Sequence, residues 1–366
     1  MGKRIYNYYA SGNTAKGFYD LFDETLNRLE RIYILKGGPG TGKSTLMKKI
    51  GEAWGSAYEL EYIHCSADYG SIDGVIIPDL KLGIVDGTAP HVIEPKYPGV
   101  IDEYVHLGDA WDSMQLRKHK EEIFQVKDQI KACYDDAYRL MAEALSIHDD
   151  WERIYIKNLS PEKARNLTDR LTAELFGEDI LDKSGSQLHR FLGAATPEGP
   201  KDFIQNLTED IPKRLFIKGR PGTGKSTMLK QLAAEGEDRG FEVEVYHCGF
   251  DPNSLDMLIF RELGVAIFDS TSPHEHFPSR EGDEMVDMYE EIIQQGTDEK
   301  YENEIAALSK QYQEKMKQAT AKLKDSNRYR NQLESYYIDA VDFTIIEQKQ
   351  AELEREIKAW EQHFTS

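Results

Sequence analysis

The sequence predicts an α/β fold made of two duplicated domains, each with a mainly parallel sheet and a long helical hairpin extension. One glycine-rich stretch occurs twice, beginning at Gly37 and again at Gly219. Other residues match at nearly the same offset, as Asp68 does with Asp251. Within each copy, apolar strand-like runs alternate with helical segments, the order that builds a parallel sheet covered by helices.

The repeat places the domain boundary near residue 182, where residues 182–186 have the composition of a linker. The first repeat spans 1–182, with a core at about 1–105 and a helical extension at about 106–177. The second repeat spans 183–366, with a core at about 187–282 and a helical extension at about 283–366.

Each copy is predicted to begin with a short strand, at 5–10 and at 188–194. A helix should follow, because Thr14 and Thr196 are suitable N-cap residues. Next comes an apolar strand, the glycine-rich stretch and a helix, in the same order in both copies.

A second strand alternates apolar residues with glutamates, at 58–64 and 241–247, which predicts a solvated face or a position near a sheet edge. A short helix from Ser71 or Ser254 should then lead to a third, fully apolar strand that ends at an aspartate.

The remainder of each copy is predicted to be helical. Apolar residues from Ile123 to Ile154 recur at spacings of three and four, and a less regular seam follows from Ile305. Ser160 and Asp342 are placed to cap a second helix, which predicts a helical hairpin in each copy. Intramolecular packing of this seam is favoured over a coiled coil with a partner protein.

Both glycine-rich stretches fit the phosphate-binding pattern G-x-x-x-x-G-K-[ST]. Glycines let backbone N–H groups point at phosphate oxygens, and the following helix N-terminus adds to the anion site. The predicted nucleotide-binding residues are Gly37, Gly38, Gly40, Thr41, Gly42, Lys43, Ser44 and Thr45 in the first copy, and Gly219, Gly222, Thr223, Gly224, Lys225, Ser226 and Thr227 in the second.

Two aspartates follow the third strand, Asp86 and Asp269, where a carboxylate can help to hold Mg²⁺. Ser44 and Ser226 are the other predicted Mg²⁺ ligands. An aspartate in this place can also simply cap the following turn.

Lys43 and Lys225 are the predicted catalytic lysines. The aspartates at the strand ends are followed by Gly87 and Ser270, and neither is an acid that could orient water.

Asp68 and Asp251 follow the second strand and are the predicted substitutes, weighed equally against a role as turn formers. His91 and His274 are the next candidates, as phosphate sensors or proton carriers, weighed equally against a hydrogen bond that anchors the loop.

The amino-acid composition limits the classes of binding partner that we expect. The chain has a net charge of −20, which argues against a broad nucleic-acid footprint. Three cysteines indicate reduced thiols, and no apolar run is long enough for a membrane span, so a cytoplasmic location without membrane contact is expected.

These motifs resemble the P-loop NTPase superfamily. The whole chain is similar to a little-characterised bacterial family of tandem P-loop ATPases, a resemblance that rests on the two loops, the Asp-[Gly/Ser]-Thr-[Ala/Ser]-Pro-His segments and the Thr-x-x-Gly segments. It implies ATP binding and little more. The motifs themselves predict two nucleotide sites per chain, with Mg²⁺ and ATP hydrolysis. The alternatives are a kinase acting on a small acceptor, and a nucleotide-gated module that binds a protein partner through its helical hairpins.

Overall fold

The computed structural model describes residues 3–272 and 275–365 of the chain. The first repeat contains β1 (Ile5–Tyr8), β2 (Ser11–Thr14), β3 (Gly17–Asp20), α1 (Phe22–Leu26), β4 (Arg31–Lys36), α2 (Lys43–Trp54), β5 (Leu60–His64), β6 (Ile72–Ile77), β7 (Leu82–Asp86), β8 (Asp102–His106), α3 (Ser113–Lys118), α4 (Lys120–Ile156) and α5 (Pro161–Phe176). The second repeat contains β9 (Ser186–Phe191), β10 (Gly193–Thr196), β11 (Gly199–Asp202), α6 (Ile204–Leu207), β12 (Lys213–Lys218), α7 (Lys225–Asp238), β13 (Glu242–His247), β14 (Leu255–Phe260), β15 (Val265–Asp269), β16 (Asp283–Asp287), α8 (Met288–Ile292), α9 (Thr297–Lys300), α10 (Glu302–Ile338) and α11 (Phe343–Thr365).

The two repeats have the same six-stranded mixed sheet, which confirms the internal duplication. The strand orders are β1-β5-β6-β7-β4-β8 and β9-β13-β14-β15-β12-β16, the second being the first repeated strand for strand. Strand β16 lies inside the segment predicted as helical extension, but it pairs in parallel with β12.

The prediction of mainly parallel sheets is corrected by one strand in each repeat. The short helix expected from Ser71 or Ser254 is wrong, because β6 and β14 occupy this place and run antiparallel to both neighbours. Nearly every residue of these two strands is buried, so their apolar runs mark interior strands with both faces covered.

The helix expected at Thr14 and Thr196 is also wrong, because each threonine ends the first strand of a small antiparallel hairpin. The Thr14 hydroxyl accepts a hydrogen bond from Lys16 N at 3.1 Å and donates one to Gly17 O at 2.8 Å. The hydroxyl of Thr196 closes the second hairpin in the same way. The threonines therefore stabilise a turn instead of a helix start.

The solvated face predicted for β5 and β13 does not exist at their central glutamates. Both strands lie beside an edge strand, as expected, but Glu61 and Glu244 are only 5% and 6% exposed. Arg190, from β9 in the second repeat, ion-pairs with Glu61 in the first repeat and lies 3.6 Å from Glu244. The alternating charges therefore form a buried network between the repeats.

The long helices α4 and α10 pack against each other along their apolar seams, which confirms that the seam is intramolecular. Ala137, Leu140 and Met141 of α4 share a buried cluster with Ala319 and Leu323 of α10. The predicted caps also hold, since the Ser160 side chain accepts a hydrogen bond from Lys163 N and that of Asp342 accepts one from Thr344 N.

The second helix of each hairpin packs on the core of the other repeat. Leu167 and Leu171 of α5 are buried with Leu215 and Met228 of the second repeat. In the converse arrangement, α11 is buried against the first repeat, through residues such as Ile357. The hairpins are thus exchanged between the two cores.

Across residues 3–272 and 275–365, the structure contains no helix with the length and apolar character needed to cross a membrane.

Candidate functional site

The two glycine-rich loops (37–44 and 219–226) each connect the end of a central strand to the start of a helix. Left-handed glycines form both bends, with φ of 70° at Gly40 and 79° at Gly42, and 74° at Gly222 and 86° at Gly224. Successive bends of this kind gather backbone N–H groups into a concavity suited to an anion.

The first glycine of each loop is required by a close approach inside the loop. A Cβ atom on Gly37 would lie 2.8 Å from the Thr41 hydroxyl, and one on Gly219 would lie 2.6 Å from that of Thr223. These buried threonine hydroxyls donate at 2.9 Å to the carbonyl of the second loop residue, Gly38 or Arg220, and fix the bend. Thr45 and Thr227 are exposed in the first helical turn.

Each predicted lysine starts a helix and lies beside the predicted aspartate. Lys43 Nζ is 3.5 Å from Asp86 Oδ2 and donates to the carbonyl oxygens of Gly37 and Gly38. Lys225 Nζ is 3.1 Å from Asp269 Oδ2. The fold therefore brings each lysine next to the aspartate that was predicted to share its site, although the two residues are far apart in the sequence.

Each predicted metal ligand also makes a structural hydrogen bond. Asp86 accepts from Thr88 N and Asp269 from Thr271 N, so both aspartates cap a turn with one oxygen while the other faces the lysine. The hydroxyls of Ser44 and Ser226 each accept at 3.0 Å from the first backbone N–H of β6 or β14.

A buried acidic group beside the first loop was missed by the sequence reasoning. Asp73, on β6, has a carboxylate oxygen within 4.8 Å of ligand atoms of Asp86 and His91. His91 is 6% exposed, and among the described residues neither of its ring nitrogens has a hydrogen-bond partner. Burial raises the pKa of Asp73, as does the charge of Asp86, whereas His91 opposes the shift.

The carboxylates of Asp73 and Asp86 and the hydroxyl of Ser44 are the oxygen ligands that Mg²⁺ prefers. The donor set therefore fits the predicted cation. The counterpart of His91 in the second repeat, His274, lies outside the described residues.

Asp68 and Asp251 follow β5 and β13 as expected, but their oxygens are engaged in turns. Asp68 accepts from Gly70 N at 3.3 Å and from the Ser71 hydroxyl at 2.6 Å. Asp251 accepts from Asn253 N and forms an ion pair with Lys16. Their assignment as catalytic groups stays a prediction.

Two glutamates near the loops were not assigned a role from the sequence. Glu334 of α10 lies at the first loop and Glu152 of α4 at the second, so each comes from the repeat that does not own the loop. The duplication could have pointed to these glutamates, because Glu152 and Glu334 occupy equivalent positions of the two repeats.

Comparison with family models, with curated proteins and with solved structures finds no match for this chain. Its function is therefore inferred from its own residues and geometry.

Proposed function

We propose that this chain is a Mg²⁺-dependent ATP-binding protein of the P-loop NTPase type that hydrolyses ATP at two sites. The observation that carries the proposal is the duplicated arrangement of a lysine, at the start of a helix behind left-handed glycines, 3.5 Å or 3.1 Å from a strand-end aspartate. The same four features recur in both repeats, which supports a shared function over a chance structural loop.

In this proposal the loop residues and the strand-end aspartates have separate roles. Lys43 and Lys225 would neutralise the β- and γ-phosphates, and the loop N–H groups would hold phosphate oxygens. The oxygens of Ser44 and Asp86, or of Ser226 and Asp269, would hold Mg²⁺. The cation supplies charge neutralisation between the β- and γ-phosphates.

Titration calorimetry with a non-hydrolysable ATP analogue and Mg²⁺ tests the binding part of the proposal. About two sites per chain are expected, and Lys43→Ala and Lys225→Ala should each remove one. Lys49→Ala is a matched control, because Lys49 is an exposed residue of the same helix as Lys43. Two sites that survive the double lysine variant would refute the proposal.

Hydrolysis is tested by the products. Release of phosphate and ADP from ATP alone supports the ATPase, whereas turnover that requires a small acceptor would indicate a kinase.

A second candidate, a nucleotide-gated change in the helical hairpins, is favoured by the contact between each loop and a long helix. A Cβ atom on Gly40 would lie 2.8 Å from Ile338 Cγ1, so a nucleotide that moves the first loop must also move the end of α10. Hydrogen exchange along α4 and α10, with and without the Mg²⁺–ATP analogue, measures this coupling. Unchanged exchange in both helices would exclude it.

A further inference from the structure

The ends of the long helices cross between the repeats and close over the opposite loop. A Cβ atom on Gly40 would lie 3.1 Å from the carbonyl oxygen of Glu334, in α10. A Cβ atom on Gly222 would lie 2.5 Å from the carbonyl oxygen of Glu152, in α4. Each loop is therefore in direct backbone contact with a glutamate of the other repeat.

Backbone hydrogen bonds fix both crossings. Beyond α10, Asp112 N donates to Ala340 O at 2.8 Å, and Asp342 N donates to Ala110 O at 2.8 Å. Beyond α4, Ser160 N donates to Ile292 O and Gln294 N donates to Asn158 O, both at 2.9 Å. Because four equivalent bonds hold the two helix ends, the positions of the glutamates are set by the fold and not by a mobile loop.

The Glu334 carboxylate lies in the environment of the first site. Within the described part of the chain it has no hydrogen bond or ion pair, although its side chain is only partly exposed. Burial raises its pKa and the nearby Asp68 adds to this shift, while Arg330 and Lys43 oppose it. Glu334 is thus a half-buried base close to the phosphate-binding lysine.

Glu152 has the corresponding environment at the second site. Burial and Asp149 raise its pKa, and the Gly222 N–H and Lys225 oppose the shift. One carboxylate oxygen lies 3.7 Å from His148 Nδ1. The two glutamates therefore share the same neighbours, a loop lysine and the aspartate that follows the second strand.

We propose that Glu334 and Glu152 orient the attacking water at the site of the opposite repeat. This assignment rests on the proposed function. It supplies the acid that is missing after the strand-end aspartates, where Gly87 and Ser270 stand. It also gives each site a carboxylate from the opposite repeat, whereas the oxygens of Asp68 and Asp251 are held in turns.

The hydrolytic step balances with these groups alone. The water oxygen forms a bond to the γ-phosphorus, and the bond from that phosphorus to the β–γ bridging oxygen breaks, leaving its electron pair on ADP. The water proton passes to the glutamate carboxylate and from there to solvent or phosphate. A raised pKa makes the carboxylate a better proton acceptor near neutral pH.

Single-turnover hydrolysis of Mg²⁺–ATP by Glu334→Gln, Glu152→Gln and the double variant tests the assignment. We expect the double variant to lose about 10²–10⁴-fold in rate while it binds the non-hydrolysable analogue with the wild-type affinity. Glu314→Gln is the matched control, because Glu314 is exposed on α10 away from the loop.

The pH dependence of the hydrolysis rate distinguishes a role of the glutamates in the reaction from a structural role. The wild-type rate should fall at acid pH as the glutamates become protonated, and the double glutamine variant should lose this limb. A variant that is slower throughout but keeps the acid limb would overturn the proposal.

The crossing itself is tested in backgrounds that retain a single site. With Lys43→Ala, only the second site turns over, and Glu152→Gln should then abolish the remaining hydrolysis. With Lys225→Ala, Glu334→Gln should do so. If Glu334→Gln instead silenced the Lys43→Ala background, each glutamate would serve the site of its own repeat and the crossed assignment would be wrong.

The outcomes distinguish this inference from the proposed function. A wild-type chain that does not bind or hydrolyse ATP would refute both. Wild-type binding and turnover, together with undiminished turnover in the double glutamine variant, would refute only the glutamate assignment.

Discussion

Removing the charge of Glu61 should destabilise the junction between the repeats. The Glu61 carboxylate accepts hydrogen bonds at 2.6 Å from Arg28 Nη2 and from the Tyr8 hydroxyl. It also accepts from Arg190 Nη2 at 3.1 Å. Glu61→Gln keeps the shape of the side chain but leaves the buried Arg190 and the partly buried Arg28 without this counter-charge.

The size of the effect follows from the pKa of the carboxyl. Burial alone would raise it, but Arg190 and Arg28 outweigh burial and lower the pKa of Glu61 from 4.5 to about 2. A shift of this size corresponds to about 3 kcal/mol of stability at neutral pH. Breaking a buried ion pair by removing one partner costs about 3–5 kcal/mol, so the two arguments agree.

The pH dependence gives a sharper test. Because the folded pKa lies below the unfolded one, the contribution is complete above pH 4.5 and is lost as the pH falls towards 2. The difference between wild type and Glu61→Gln should therefore shrink by about 1 kcal/mol between pH 7 and pH 4.

Urea unfolding, with midpoint and slope both fitted, measures the difference at each pH. Glu59→Gln is the control, because Glu59 is exposed and adjoins the same strand. The reasoning is refuted if the two variants unfold alike at pH 7, or if the difference does not change on acidification.

Three further variants probe the loops and their carboxylates. Asp86→Asn with Asp269→Asn should reduce Mg²⁺-dependent turnover more than nucleotide affinity, because in the proposed function these groups would mainly position the metal. Persistent turnover in the double variant would contradict this. Asp68→Asn with Asp251→Asn should lower the single-turnover rate by less than about tenfold, because the oxygens of both aspartates accept hydrogen bonds within turns. Loss of a positioned base would instead lower the rate by about 10²–10⁴-fold. Gly222→Ala should abolish binding at the second site, since φ is 74° and the new Cβ would lie 2.5 Å from a carbonyl oxygen of α4; calorimetry that still finds two sites would show that the loop can relax.

The local features of the fold were predictable because they depend on short stretches of chain. The strand, glycine-rich loop and helix follow one another as expected, and Lys43 and Lys225 lie at the first position of their helices. The duplication was also visible, because matching residues recur at a nearly constant offset.

The antiparallel strands β6 and β14 could not be predicted from the order of segments, because strands that alternate with helices usually form parallel sheets. The segment after Ser71 is short and apolar, and such a run does not by itself distinguish a buried strand from a helix. The hydrogen bond from Ile72 N to the Ser44 hydroxyl joins this strand to the loop, a contact that only the assembled sheet provides.

The burial of Glu61 and the crossing of the hairpins could not be predicted for a common reason. Arg190 lies far from Glu61 in the sequence, and the partner core of α11 belongs to the first repeat. A period of three and four residues shows which helix face is apolar but not which core covers it.

The two loops already differ at Gly38 and Arg220, and the exchange of helices adds a further chemical difference between the two sites. Arg330 of α10 and His148 of α4 occupy equivalent positions of the repeat. Arg330 lies near the first site, and His148 lies near the second. Burial acts to lower the pKa of Arg330, but its interactions with Cys65, Tyr134 and Asp73 outweigh burial and raise the pKa, so Arg330 stays cationic. Burial lowers the pKa of His148, which is therefore neutral at pH 7. At this position the first site carries a fixed positive charge, which comes from the helix that also brings Glu334. Divergence between the copies has thus changed the electrostatics of each site through the opposite repeat, while the glutamate is the same in both.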